Sequence, residues 1–187
     1  MHGYGLFKWA TGRVYIGDWA SDLKEGVGIL TFKGGNEYSG EFRNDRRQGY
    51  GYYQWADNRK FKGWWHENKQ HGLGVYFSPE QTAAKFGVWQ MGKRIKWLSE
   101  AECSDIRNGK VDYINYFSPQ NLQPNEKDRQ LSREQLQAKY RGIDYNRLQT
   151  LKESGQQPQA QILFHCPIKI EKKLEVLRKR LAEEESS

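Results

Sequence analysis

Residues 38–51 read Tyr38-Ser39-Gly40-Glu41-Phe42-Arg43-Asn44-Asp45-Arg46-Arg47-Gln48-Gly49-Tyr50-Gly51, an aromatic-x-Gly-x-aromatic step followed by a Gly-x-Gly step. Both steps recur. Gly-x-Gly falls at Gly3/Gly5, Gly26/Gly28, Gly49/Gly51 and Gly72/Gly74, a constant spacing of 23 residues. The aromatic step keeps the same register as YIGDW at Tyr15 to Trp19, YSGEF at Tyr38 to Phe42 and FKGWW at Phe61 to Trp65. A fourth copy, KFGVW at Lys85 to Trp89, arrives one residue late with Lys85 in the aromatic position, and the next Gly-x-Gly is replaced by Lys96-Trp97-Leu98. A fixed period of this length marks a stacked repeat.

Alternation says what each unit is. Gly26, Gly28, Leu30 and Phe32, or Gly49, Gly51, Tyr53 and Trp55, recur at every second residue, which places each set on one face of a strand. Tyr15, Gly17 and Trp19 alternate in the same way, and Thr11-Gly12, Gly34-Gly35-Asn36 and Asp57-Asn58 supply turns between the two strands. Each unit is therefore a β-hairpin. A lone hairpin is marginal, so the units must stack and share a core. The expected fold is mainly β, an elongated stack of about four hairpins, with the aromatic columns lying against glycine backbone as the core.

Composition divides the chain. All seven Trp and 16 of the 19 Gly lie in residues 1–97, which carry 15 Lys and Arg against 9 Asp and Glu, a net charge of +6; residues 98–187 carry 15 against 14. The reading is an array over 1–97, a capping helix and extended segment over 98–117, and a linker with C-terminal helices over 118–187. The mean hydropathy is -0.98. No stretch approaches the roughly 18 apolar residues of a membrane span, and the first residues lack the layout of a signal peptide. A cytoplasmic chain is the expectation. Cys103 and Cys166 have no neighbours at metal-ligand spacing and read as reduced thiols.

The paired motifs resemble the MORN (membrane occupation and recognition nexus) repeat, close to Y-x-G-x-W-x-x-G-x-x-H-G-x-G. His71 and His2 fill the histidine position. The resemblance implies a hairpin stack without an active site, serving protein–protein interaction as a scaffold or structural subunit, commonly in cytoskeletal, ciliary or axonemal assemblies. Other members act at membrane junctions or regulate phosphoinositide kinases. The chain opens with the second half of one such unit, so residues 3–9 are expected to form an open end. Residue 1 is then either a true start or a position within a longer array.

Beyond the array, Ser99 with Glu102 is a capping-box pattern, with Gly109 as a helix stop, and that helix would cover the last hairpin. Residues 110–117 read as a short strand or extended segment. Ser132 opens a second helical pattern through Leu136, Tyr140, Ile143, Leu148 and Leu151. Near the C-terminus Ile170, Leu174, Leu177 and Leu181 form a seam two heptads long. So short a seam needs a surface to order it, and it reads as a partner-docking helix.

Chemistry finds little footing. Two of the four histidines are repeat positions, better suited to structural hydrogen bonding than to base catalysis, and no nucleophile–base set stands out. Gly-x-Gly lacks the third glycine and the helix of a dinucleotide loop. No enzyme, cofactor or metal site is expected. Lys24, Arg46, Arg47, Lys69, Lys93 and Arg94 recur between the second strand and the next Gly-x-Gly, and are expected to form one row along an edge. Such a row suits acidic phospholipid or an acidic partner, or serves as a solvated edge that resists aggregation. Nucleic acid is not expected, because the aromatics that would stack on bases belong to the core.

Overall fold

The computed structural model describes residues 1–80, 83–108, 110 and 168–185. The extended segment over 110–117, the helix from Ser132, the linker, Gly109 and Cys166 fall outside them, apart from Lys110. Nine antiparallel strands follow one another in a single sheet, each beside its sequence neighbour. They are β1 (Gly3–Lys8), β2 (Val14–Ala20), β3 (Leu23–Thr31), β4 (Glu37–Arg43), β5 (Arg46–Gln54), β6 (Lys60–His66), β7 (Lys69–Phe77), β8 (Ala84–Gln90) and β9 (Lys93–Trp97). Two helices follow, α1 (Glu100–Arg107) and α2 (Ile168–Glu185).

The period is built from two kinds of turn. Ser21-Asp22, Asn44-Asp45, Glu67-Asn68 and Met91-Gly92 join strands by two residues, both at positive φ, the type I′ geometry that matches strand twist. The alternate loops are longer and close on Gly12, Gly35 or Asn58 at positive φ. The one-residue delay of the fourth copy falls between the end of β7 and the start of β8. Beyond it Gly74 still faces Gly87 and Tyr76 faces Lys85.

The sheet continues one strand past the last Gly-x-Gly. Lys93–Trp97 pairs with β8 although the glycines are gone, because the Met91-Gly92 turn folds the chain back regardless. Ser99 caps α1 with the reciprocal Glu102 bonds of a capping box, and the helix ends at Arg107 with Asn108 as its C-cap. Leu98 N–H donates to the Phe86 carbonyl at 2.9 Å, turning the chain onto β8. Cys103 and Ile106 are buried there.

There are two cores rather than one. Tyr15, Trp19, Tyr38, Phe42, Phe61, Trp65 and Trp89 pack on one face. On the other, Ile16, Ile29, Tyr50, Trp64, Leu73 and Val88 pack with Ile106 of α1 and with Ile170, Leu174 and Leu177 of α2. The cause is strand alternation: the residues between the aromatic columns point the opposite way, and many are themselves apolar.

Candidate interaction faces

The aromatic face is assembled from glycine and ring together. Gly17 faces Gly28, Gly40 faces Gly51 and Gly63 faces Gly74 across neighbouring strands. Each pair leaves a bare patch of backbone that the ring of Tyr15, Tyr38 or Phe61 occupies. The Tyr15 and Tyr38 hydroxyls donate to the carbonyls of Asp18 and Glu41 at 3.0 and 2.9 Å. Burial pushes the Tyr15 phenol far above its ordinary value, so it stays protonated and keeps donating. Rings of successive units then meet edge to face, as in Tyr15–Phe42 at 5.2 Å, Tyr38–Trp65 at 5.2 Å and Phe61–Trp89 at 4.9 Å.

Half-buried Trp9, Phe32, Tyr53, Trp55, Tyr76 and Trp97 extend this seam along the face. Cations lie over the rings. Arg47 stands 4.8 Å from Trp65, Arg94 4.3 Å from Trp97, Lys24 5.5 Å from Trp9, Arg13 5.3 Å from Trp9 and Arg59 5.2 Å from Trp55. Burial lowers the Arg47 guanidinium from its ordinary value, and its Nη2 donates to the Asn68 carbonyl at 2.8 Å.

The expected single basic row is split in two. Lys24, Arg47 and Arg94 face Trp19, Phe42 and Trp89 across the ladder and lie on the aromatic face. Arg46, Lys69 and Lys93 face Arg43, His66 and Gln90, and so belong to the opposite face. Adjacent strand residues point to opposite sides, and this defeats a row built from neighbours. Lys24 is further engaged by Asp45 at 2.5 Å, and Arg46 by Glu67 at 3.2 Å.

The repeat histidine has a structural place. At one position in successive units Glu25, Gln48 and His71 accept from the first turn residue of the next unit, namely Asn44, Glu67 and Met91, at 2.8, 3.2 and 3.2 Å. The second turn residues Asp45, Asn68 and Gly92 donate to the carbonyls of Lys24, Arg47 and Gln70 at 3.0, 3.1 and 2.8 Å. One column thus ties each turn to the preceding unit. His2, at the same repeat position, is exposed.

A family model for the MORN repeat matches residues 1–12, 15–37, 38–58 and 61–82. Residues 1–82 are thus four MORN repeats. Comparison with curated proteins gives no match. MORN repeats form a non-catalytic repeat family whose modules are often involved in membrane or protein binding. Among the described residues of this chain no three His, Cys, Asp or Glu side chains are grouped to hold a metal ion. Nor is any described helix long and apolar enough to cross a membrane.

The seam of α2 meets the MORN sheet of its own chain. Ile170, Leu174 and Leu177 are buried on the face opposite the aromatic one, and Leu181 is half-buried. The helix lies across β2, β3 and β4. Polar contacts fix it along its length. Glu171 accepts from the Tyr52 hydroxyl at 3.0 Å, Lys173 bonds Asp18, Arg178 donates to Glu37 at 3.1 Å and to Ser39 at 2.9 Å, and Arg180 lies 4.8 Å from the Tyr4 ring. Sequence reading supplied the seam but not its seat. The available signal was Asp18 and Glu41 beside their repeat tryptophan or phenylalanine, acids on the non-aromatic side of the first two units.

Proposed function

We propose that this MORN-repeat protein is a non-enzymatic scaffold that binds an acidic segment of another protein along its aromatic face, as a structural subunit of a ciliary or other cytoskeletal assembly. The observation that carries the reading is the unbroken ring seam rimmed by Arg13, Arg47, Arg59 and Arg94. Trp, Tyr and Arg are the residue types that dominate binding energy at protein interfaces. Both described helices pack on the other face. The array's net charge of +6 favours an acidic partner. The cytoskeletal setting rests on resemblance alone.

The test is crosslinking of the tagged full chain in cells of its source, with partners identified by mass spectrometry. Crosslinks from the aromatic face to an acidic segment, lost in Arg47→Ala/Arg94→Ala with melting little changed, support the reading. Crosslinks confined to other surfaces, or unaltered in the variant, overturn it. The alternative, an acidic-membrane or lipid-kinase regulatory module, draws on exposed Lys69, Lys93 and Arg46. Flotation with phosphoinositide vesicles at low salt, abolished by changing these three to Glu, is the result that would favour it.

A further inference from the structure

The surface under α2 has its own chemistry. It belongs to an array of net charge +6, yet Asp18, Glu25, Glu37 and Glu41 all fall on the non-aromatic side of β2, β3 and β4. The equivalents of Asp18 and Glu41 in the next units are Trp64 and Val88, so the acidic island is confined to the first two units. Ile16 and Ile29 give that island an apolar floor. What fits it is visible in α2, an apolar seam through Ile170, Leu174 and Leu177 with Lys173 and Arg178 reaching Asp18 and Glu37.

From this juxtaposition we infer that the seat on β2–β4 is a binding site for a basic amphipathic helix of another protein, and that α2 is its competitor within the chain. The seat recognises a pattern, apolar residues at i, i+4 and i+7 with cations at i+3 and i+8, and any helix carrying it meets the same carboxylates. The linkage to α2 is ionic at its margins: Lys173 and Asp18 are 42% and 30% exposed, and Arg178 and Glu37 56% and 30%. A tethered competitor acts at an effective concentration on the order of millimolar, so α2 weakens a matching helix without blocking it outright. This site is separate from the aromatic face, and neither reading depends on the other.

The test uses the full chain and a fluorescent peptide of residues 168–185 as the probe. Leu174→Asp/Leu177→Asp unseats α2 while leaving every sheet residue in place, and near-ultraviolet circular dichroism of the Trp-rich array checks that the sheet persists. Lys173→Glu/Arg178→Glu is the milder unseating variant. The probe is expected to bind either unseated chain at least 10-fold more tightly than wild type. It should weaken at least 10-fold against an unseated chain carrying Asp18→Asn and Glu37→Gln, which retain acceptors for hydrogen bonds. Equal affinity for wild-type and unseated chains, no binding to a folded unseated chain at millimolar probe, or indifference to the Asp18 and Glu37 changes would each overturn the inference. So would a wild-type dimer in light scattering that Leu174→Asp/Leu177→Asp dissolves, since that assigns the seat to a second copy.

Discussion

The ring of Tyr15 occupies the space in which a Gly28 side chain would lie: a Cβ on Gly28 would fall well inside 3.0 Å of two ring atoms and the hydroxyl oxygen. The ring has nowhere to move, because it is buried between Trp19 and Phe42. Gly28→Ala is therefore an overpacking change and should lower stability by about 1–3 kcal/mol. Gly34→Ala, at a loop position with nothing within 4 Å, is the control and should change it by no more than about 0.5 kcal/mol. Urea unfolding followed by Trp fluorescence measures both. Equal effects would mean that the ring–glycine contact does not set the packing.

The I′ turns carry residues ill-suited to them at three places. Ser21, Glu67 and Met91 hold φ of 48°, 46° and 47°, where side chains other than Asn, Asp and Gly are strained by about 1–2 kcal/mol. Met91 is 37% exposed, so little packing is at stake. Met91→Asn should raise stability by about 0.5–1 kcal/mol, read as a higher denaturation midpoint at unchanged slope. A lower midpoint would show that the Met91 side chain matters more to the turn than its backbone.

What could be read in the sequence follows from what repeats. Gly28 and Tyr15 recur with their equivalents every 23 residues, and a recurring pair fixes the hairpin, the stack and the contact between ring and backbone. The second core could not be read in this way, because one of its columns runs Ile16, Ser39, Lys62 and Phe86 in successive units, and its apolar column Val27, Tyr50 and Leu73 repeats no single residue. The sides taken by Lys24 and Arg46 depend on each strand starting directly after a two-residue turn, a detail of register that composition does not carry. The destination of α2 was hidden for a different reason. Ile170, Leu174 and Leu177 announce an apolar stripe, but the acids that receive Lys173 and Arg178 lie more than 130 residues away in the chain.

Asp45 gives the turn ladder an acid limb. Burial pushes its carboxyl up, but the side-chain and backbone hydrogen bonds from Lys24 outweigh this and hold it below the ordinary carboxylate range. A group with a depressed folded value contributes stability that is fully present above the unfolded value of about 3.9 and is lost as pH falls through the lower folded value. Asp45→Asn keeps an acceptor for Lys24 N–H but removes the charge, and should cost up to about 1 kcal/mol at neutral pH. That difference from wild type should persist at pH 5 and vanish near pH 2. A gap that survives at pH 2 would mean the turn depends on the shape of the side chain and not on its charge.

His71 is the one turn tie among Glu25, Gln48 and His71 made by an imidazole, and its chemistry makes it the most demanding. Its Nδ1 accepts from Met91 N–H at 3.2 Å, which requires the neutral ring with the proton on Nε2. The side chain is 1% exposed, so water does not readily replace the acceptor. His71→Ala should then cost about 1–3 kcal/mol for the buried donor left behind, beyond the loss of packing. His71→Gln, which copies Gln48 of the preceding unit, should recover part of that cost. Amide hydrogen exchange at Met91 separates the hydrogen bond from packing: protection there should fall most in the Ala variant and be largely retained in the Gln variant. Equal exchange in both would show that the Met91 turn is held by the Gly92 N–H bond to the Gln70 carbonyl at 2.8 Å, with His71 serving only to fill space.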